Sequence, residues 1–266
     1  MLKKKFKRLL KSIFKKFDLQ ISPIENYDLK FHFVESNDFE REIINLCRNY
    51  SMTADVRMWG LIQSFKYVIN NKIEGAFVEC GIWKGGNLIL LQKLIEKYNI
   101  VNKKIFGFDT FDGMQEPSDF DIDCWGNKIK NVLQTQEKNQ NIDNIWAYSP
   151  IEDVRKNYFN NTTKNENLIL IKGKVEDTLP RLNEFDESNV NEKLEKISIL
   201  RLDTDWYEST KIELKILYPR LEIGGVLIID DYGYCKGAKK AVDEYFKDKT
   251  MWMHYIDRES RLIIKK

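Results

Sequence analysis

The sequence predicts an α/β protein built on a doubly wound, mostly parallel sheet of seven strands, closed by a C-terminal antiparallel hairpin. Two observations carry this. Five short apolar runs, at 76–80, 105–108, 168–171, 197–202 and 226–229, have strand length, and helical patterns separate most of them. Near-continuous apolar strands alternating with helices imply a parallel sheet covered on both faces. Two further strand-like pieces, 251–256 and 261–264, flank a charged turn and would add the antiparallel edge. The chain of 266 residues, 42% hydrophobic and 32% charged, is long enough and apolar enough to bury a core. No apolar stretch reaches the roughly 18 residues a bilayer-spanning helix needs.

Taken in order, the chain opens on a basic head. Leu2, Phe6, Leu9, Leu10, Ile13, Phe14 and Phe17 recur with helical spacing, and Lys and Arg fill most other positions up to residue 17. Lys11 interrupts the apolar run a cleaved signal peptide would need. Such an amphipathic helix suits an anionic membrane surface, or else packs its apolar face on the body or a partner subunit. Residues 18–36, with Ser22-Pro23, read as a linker, which makes 1–36 a head and 37–266 the main domain. Helical patterns follow at 38–49 and 53–71, where Thr53 is the expected cap, and then at 86–98, 151–160, 207–220 and 237–247. Residues 112–149 break the alternation. They are polar, rich in Asp, Asn and Gln, and follow a strand, so they read as a lid over the ligand crevice or as a disordered excursion.

Charge and rare residues narrow the chemistry. The formal charge of +2 hides a basic head on an acidic body, the reverse of a nucleic-acid reader, so no nucleic-acid partner is expected. Four cysteines without a C-x-x-C pair and two histidines, His32 and His254, exclude a structural zinc site and a His-rich metal centre. That cysteine usage fits a reducing, cytoplasmic setting. Any metal must then be held by carboxylates, which points to a hard cation such as Mg²⁺ or Ca²⁺.

Ligands of open α/β sheets bind at the carboxyl ends of the strands. The first strand ends in Glu79, Cys80, Gly81, Ile82, Trp83, Lys84, Gly85 and Gly86, a glycine turn leading into a helix. Its G-x-x-x-G-G spacing is not the dinucleotide fingerprint. The second strand ends in Asp109, placed to bind ribose hydroxyls of an adenosine-type ligand or, in isolation, to cap a turn. The fourth ends in Asp203-Thr204-Asp205 and the fifth in Asp230-Asp231. Carboxylates gathered on adjacent strand tips repel unless a cation sits among them or their pKa values rise. The alternative is that Asp205 and Asp231 cap helices.

Residues 79–86 (E-C-G-I-W-K-G-G), 200–210 (L-R-L-D-T-D-W-Y-E-S-T) and 218–232 (Y-P-R-L-E-I-G-G-V-L-I-I-D-D-Y) resemble the macrocin O-methyltransferase family. Residues 108–114 are similar to its D-S-F-x-G-L stretch, and 177–180 also have a counterpart. The resemblance spans roughly residues 50–265 and leaves the basic head outside. It implies a Rossmann-like class I methyltransferase that uses S-adenosylmethionine and Mg²⁺ to methylate a sugar hydroxyl. By motif position, Glu79, Gly81 and Gly85 would line the methionine part of the cofactor, Asp109 its ribose, and Lys174, Val175 and Glu176 its adenine. Trp83, Gly86, Thr110 and Asp203 complete the implied cofactor set, and Asp203, Asp230 and Asp231 are the implied metal ligands.

One departure stands out. The family is held to use a histidine after the second strand as general base, and residues 110–150 contain none. Asp205, two residues beyond Asp203, is the candidate in its place. The expected acceptor is a sugar of a bacterial surface glycan or of a glycosylated natural product, handled in the cytoplasm with peripheral contact at the inner membrane face. A homo-oligomer is left open. Two rival readings are a nicotinamide-dependent oxidoreductase, which leaves Asp230-Asp231 unexplained, and a non-catalytic membrane-associated scaffold, against which the intact acidic cluster argues.

Overall fold

The computed structural model describes residue 14 and residues 33–163, 165–182 and 193–266. Two units are distinguished, 1–37 and 38–266. The expected basic helix and most of the linker lie outside the described residues. In the first unit Phe33–Ser36 close a turn, Ser36 donating to the Phe33 carbonyl through its N–H (2.9 Å) and its hydroxyl (2.5 Å).

The second unit begins with helices α1 (Asp38–Cys47) and α2 (Asp55–Asn70). The doubly wound core follows: β1 (Ala76–Cys80), α3 (Gly86–Lys97), β2 (Ile105–Asp109), α4 (Ile129–Leu133), α5 (Ile151–Asn161), β3 (Leu168–Lys172) and α6 (Val175–Thr178). Then come β4 (Ile197–Leu202), α7 (Tyr207–Ile216), β5 (Leu221–Ile229), α8 (Lys236–Phe246), β6 (Met253–Tyr255) and β7 (Arg261–Ile264). The seven strands form one sheet in the order β3-β2-β1-β4-β5-β7-β6. β1 to β5 are parallel, and the terminal hairpin adds antiparallel β7 against β5 with β6 outside it. The expected sheet and its antiparallel edge are therefore present. Among the described residues no helix is long and apolar enough to cross a membrane.

The pleat sorts the strand residues to two cores. Val78, Cys80, Leu200, Leu202, Leu227 and Ile229 pack with Leu214 and Leu217 after β4 and with Val242 and Phe246 of α8. On the opposite face Phe77 meets Phe65 of α2, their rings 5.6 Å apart. Helices cover both faces of the central strands, and that is why those strands read as largely apolar runs.

Three boundaries differ from expectation. Thr53 does not cap α2; Ala54 stands at that position without a side-chain bond, and the Thr53 hydroxyl turns inward instead. β5 starts at Leu221 rather than at 226, and the strand bulges and shifts register against β4 on the way. α7 stops at Ile216 because Pro219 lacks the N–H a continuing helix needs, and Tyr218–Arg220 tighten into a 3₁₀ turn.

Residues 112–149 are ordered and roofed onto the carboxyl ends of β4 and β5. Ile129 and Leu133 of α4 share a small apolar core with Trp206, Cys235 and Ala238. Asp121 accepts the Tyr207 N–H at 2.8 Å, Trp206 Nε1 donates to the Gln115 carbonyl at 3.2 Å, and Lys236 N–H donates to Ile122 at 2.9 Å. These contacts hold the segment against the strand tips.

Candidate active site

The strand tips are in step because the parallel ladder continues past them. The N–H of Gly81 donates to Phe108 (2.8 Å), that of Asp203 to Cys80 (2.9 Å) and that of Asp230 to Leu202 (2.9 Å). These residues thus stand side by side at the carboxyl edge, around the switch between β1 and β4, where a crevice must open. A cavity of about 250 Å³ lies there.

Most of the expected cofactor residues line it: Glu79, Gly81, Trp83, Asp109, Thr110, Lys174, Val175, Glu176 and Asp203. Asp205, Asp230 and Asp231 share the same wall. Gly85 and Gly86 do not. A side chain on Gly85 would meet Val154, and one on Gly86 the backbone of Tyr50 at 2.8 Å. Those two glycines allow close packing at the start of α3. Trp83 and Asp205, with φ of 44° and 67°, hold the left-handed conformation on the wall, a cost of about 1–2 kcal/mol for a residue with a Cβ.

Asp109 does more than face the cavity. Its Oδ2 accepts the N–H groups of Ile82 (2.8 Å) and Trp83 (3.2 Å), and its Oδ1 accepts that of Phe111 (2.7 Å). Burial pushes its carboxyl up, against the pull of those three N–H groups. Asp109 therefore holds the glycine turn and the start of the lid in place.

The acidic residues form two overlapping groups. One oxygen each of Asp203, Asp230 and Asp231 lie within 4.8 Å of one another, as do Asp205, Asp231 and the Cys235 sulfur. The repulsion that sequence reasoning left to a metal is partly relieved by arginine. Arg201 is the register partner of Glu79 on the neighbouring strand, so both side chains emerge on one face. Its Nη1 lies 2.6 Å from Glu79 and 2.6 Å from Asp203, and its Nη2 lies 2.8 Å from Asp230 and 3.0 Å from the Thr53 hydroxyl. Arg57 reaches the other oxygen of Asp230 at 2.8 Å. Asn87 completes the inner ring, donating to Glu79 (2.8 Å) and Thr53 (3.1 Å).

Two guanidiniums do not balance five carboxylates. Burial alone would raise the carboxyl of Asp230, but Arg201 and Arg57 outweigh it and hold this group below the usual range. Burial drives Asp203 well up despite Arg201, and burial with the neighbouring Asp205 does the same to Asp231. Asp205 is pushed up to about 7, again chiefly by burial. Glu79 Oε2 and Asp231 Oδ2 are buried without a hydrogen-bond partner. The donor set fits a hard divalent cation: carboxylate oxygens close enough to converge, two of them, Asp230 Oδ1 and Asp231 Oδ2, without a hydrogen bond. Burial and the nearby Asp205 and Asp231 raise the Cys235 thiol, the sulfur of the second group.

Residues 40–260 match the macrocin O-methyltransferase family, TylF. The chain belongs to this family. Membership makes it an S-adenosylmethionine-dependent O-methyltransferase. Among curated relatives, a demethyldecarbamoylnovobiocin O-methyltransferase of Streptomyces niveus is 30% identical over 196 residues, covering 74% of this chain and 67% of its own. A tetracenomycin rhamnosyl 4′-O-methyltransferase of Streptomyces olivaceus is 27% identical over the same share of both chains. Among solved structures, the O-methyltransferase NovP superposes with a TM-score of 0.67 at 27% identity, covering 82% of each chain. The calicheamicin methyltransferase CalS11 shares the fold, with a TM-score of 0.55 at 18% identity over 92% of this chain and 99% of that one.

Sequence reasoning missed the two arginines and the inner ring. Arg201 had a signal, since a charge inside the apolar run I-S-I-L-R-L must be buried and paired. Arg57 and Asn87 had none, because their partners lie far along the chain. The lid residues Met114, Gln115 and Ala147 also reach the cavity wall, and only the lid's polar composition hinted at that.

Proposed function

We propose that this macrocin-family enzyme is Mg²⁺-dependent and methylates a sugar hydroxyl. The observation that carries the reading is the triad of Asp203, Asp230 and Asp231, which converges beside the cavity that also holds Glu79, Gly81, Asp109 and Glu176. The named activities of the Streptomyces relatives, one of them on a rhamnosyl group, support the acceptor class.

Asp203, Asp230 and Asp231 would hold the cation. Bound there, Mg²⁺ would chelate vicinal hydroxyls of the acceptor and lower the pKa of the one that reacts. Methyl transfer is an in-line displacement, so alignment of donor and acceptor is the main task of the protein. The Gly81 turn and the segment Lys174–Glu176 fix the donor side of the cavity, and the lid over Trp206 excludes water. Asp205 is the base that takes the hydroxyl proton. It sits on the wall beside Asp231, and no histidine occurs in the lid to take the role.

The test is transfer of labelled methyl from S-adenosylmethionine to a panel of glycosides and nucleotide sugars, with EDTA and with added Mg²⁺. Turnover should vanish in chelator and return with Mg²⁺. Full turnover in EDTA removes the metal from the reading, and transfer only to non-sugar phenols removes the sugar. Thermal stabilisation by S-adenosylhomocysteine but not by NAD separates the methyltransferase from a nicotinamide enzyme.

The Lys- and Phe-rich head supports a second, separable reading, in which the acceptor is a glycan assembled at an anionic membrane. Cosedimentation with anionic vesicles, compared with a variant lacking residues 1–20, decides it. Equal partition of the two proteins would reject the membrane role.

A further inference from the structure

We infer that Arg57 is a positioning residue that sets which oxygen of Asp230 faces the cation, and that the turn of the terminal hairpin holds it there. This rests on the metal reading above. Arg57 lies in the first turn of α2 with its side chain 11% exposed. Its three donor nitrogens go to three different carboxylates. Nε donates to Asp257 at 2.7 Å, Nη1 to Asp230 Oδ2 at 2.8 Å, and Nη2 to Glu259.

The hairpin turn is itself fixed. Asp257 Oδ1 accepts the N–H groups of Glu259 (2.8 Å) and Ser260 (2.7 Å), which aims its other oxygen at Arg57. Gly233 N–H donates to the Glu259 carbonyl at 2.8 Å, pinning the turn against the loop that follows Asp231.

Charge compensation explains only part of this arrangement. Arg57 counters Asp230, but with Asp257 and Glu259 the group as a whole is net negative. What the fork contributes is geometry. It occupies Asp230 Oδ2 and leaves Oδ1 turned inward, 2.8 Å from Arg201 and without hydrogen-bond geometry of its own. A lysine keeps the charge but cannot span three acceptors, because its ammonium is a point donor rather than a planar fork.

The experiment compares the full chain with Arg57→Lys and, separately, Asp257→Asn. Three properties are measured: Mn²⁺ binding from the free-ion paramagnetic resonance signal, S-adenosylhomocysteine binding by calorimetry, and the apparent KM for Mg²⁺ in turnover. Expected for Arg57→Lys is a 10- to 100-fold loss of Mn²⁺ affinity, the range typical for outer partners of metal ligands. The KM for Mg²⁺ should rise in step, while S-adenosylhomocysteine affinity stays within about twofold. Asp257→Asn should shift Mn²⁺ binding in the same direction with Arg57 intact. Unchanged Mn²⁺ affinity in both variants overturns the proposal, as does parallel loss of Mn²⁺ and S-adenosylhomocysteine binding, which marks a merely structural role. If the unmodified chain binds no Mn²⁺, the metal reading itself fails, a result distinct from either.

Discussion

A Cβ on Gly81 would lie 2.0 Å from the carbonyl oxygen of Asp203, so only glycine lets the turn after β1 cross the tip of β4. The residue also holds a φ of +80°. Gly81→Ala should therefore carry both a backbone clash and conformational strain. Gly126→Ala is the control, since its φ is +96° with nothing within 4 Å. The control should lose about 1–2 kcal/mol in urea denaturation. Gly81→Ala should lose clearly more, together with S-adenosylhomocysteine binding. Equal losses would mean that the strand tip moves aside freely.

Arg201 and its three carboxylate partners form a buried charge network. Arg201→Met strands Glu79 and Asp203 without a cation, Asp230 keeping Arg57, and breaking such a pair costs about 3–5 kcal/mol. Adding Glu79→Gln to Arg201→Met should recover part of that loss, because one of the two stranded charges disappears. Additive losses in the double variant would show that the two residues do not interact.

Cys47, Cys80 and Cys235 are buried, and Cys124 is half-buried. Burial pushes the Cys47 thiol up to about 12 and raises Cys80 and Cys235 as well. A raised thiol pKa keeps the group protonated and unreactive at pH 8. Titration with a thiol reagent at that pH should find one reactive cysteine in the native protein and all four in denaturant. More than one native reaction would place an opening motion at one of the three interior sites.

Trp206 joins the lid to the strand tips and is 8% exposed. Trp206→Ala should cost about 3 kcal/mol or more. Hydrogen exchange should accelerate in residues 114–147 while β1 and β4 remain protected. Uniform acceleration would mean that the lid and sheet unfold as one unit.

The periodic elements were legible because each strand and helix is covered on one side by its own sequence pattern. β1, β4 and β7 appear where the apolar runs stand. The expected tips also converge, since Asp203, Asp230 and Asp231 follow directly from parallel register. What stayed hidden depends on distant partners. Arg57 finds Asp257 and Glu259, 200 and 202 residues away, and nothing local to α2 announces them. Asp109 lines the cavity as expected, and the three backbone N–H groups on its oxygens are brought together only by folding. β5 reads short in the sequence, from 226 rather than Leu221, because its shifted register against β4 is set by tertiary pairing.

Guanidinium groups do not lose their protons in water, so Arg57 and Arg201 are counterions that cannot be dialysed away. The carboxylate nest thus has a permanent frame, and an added ion enters a shape already standing instead of creating it. On the metal reading proposed above, the cation would enter last, as an exchangeable guest rather than a keystone, and the protein should survive purification in chelators.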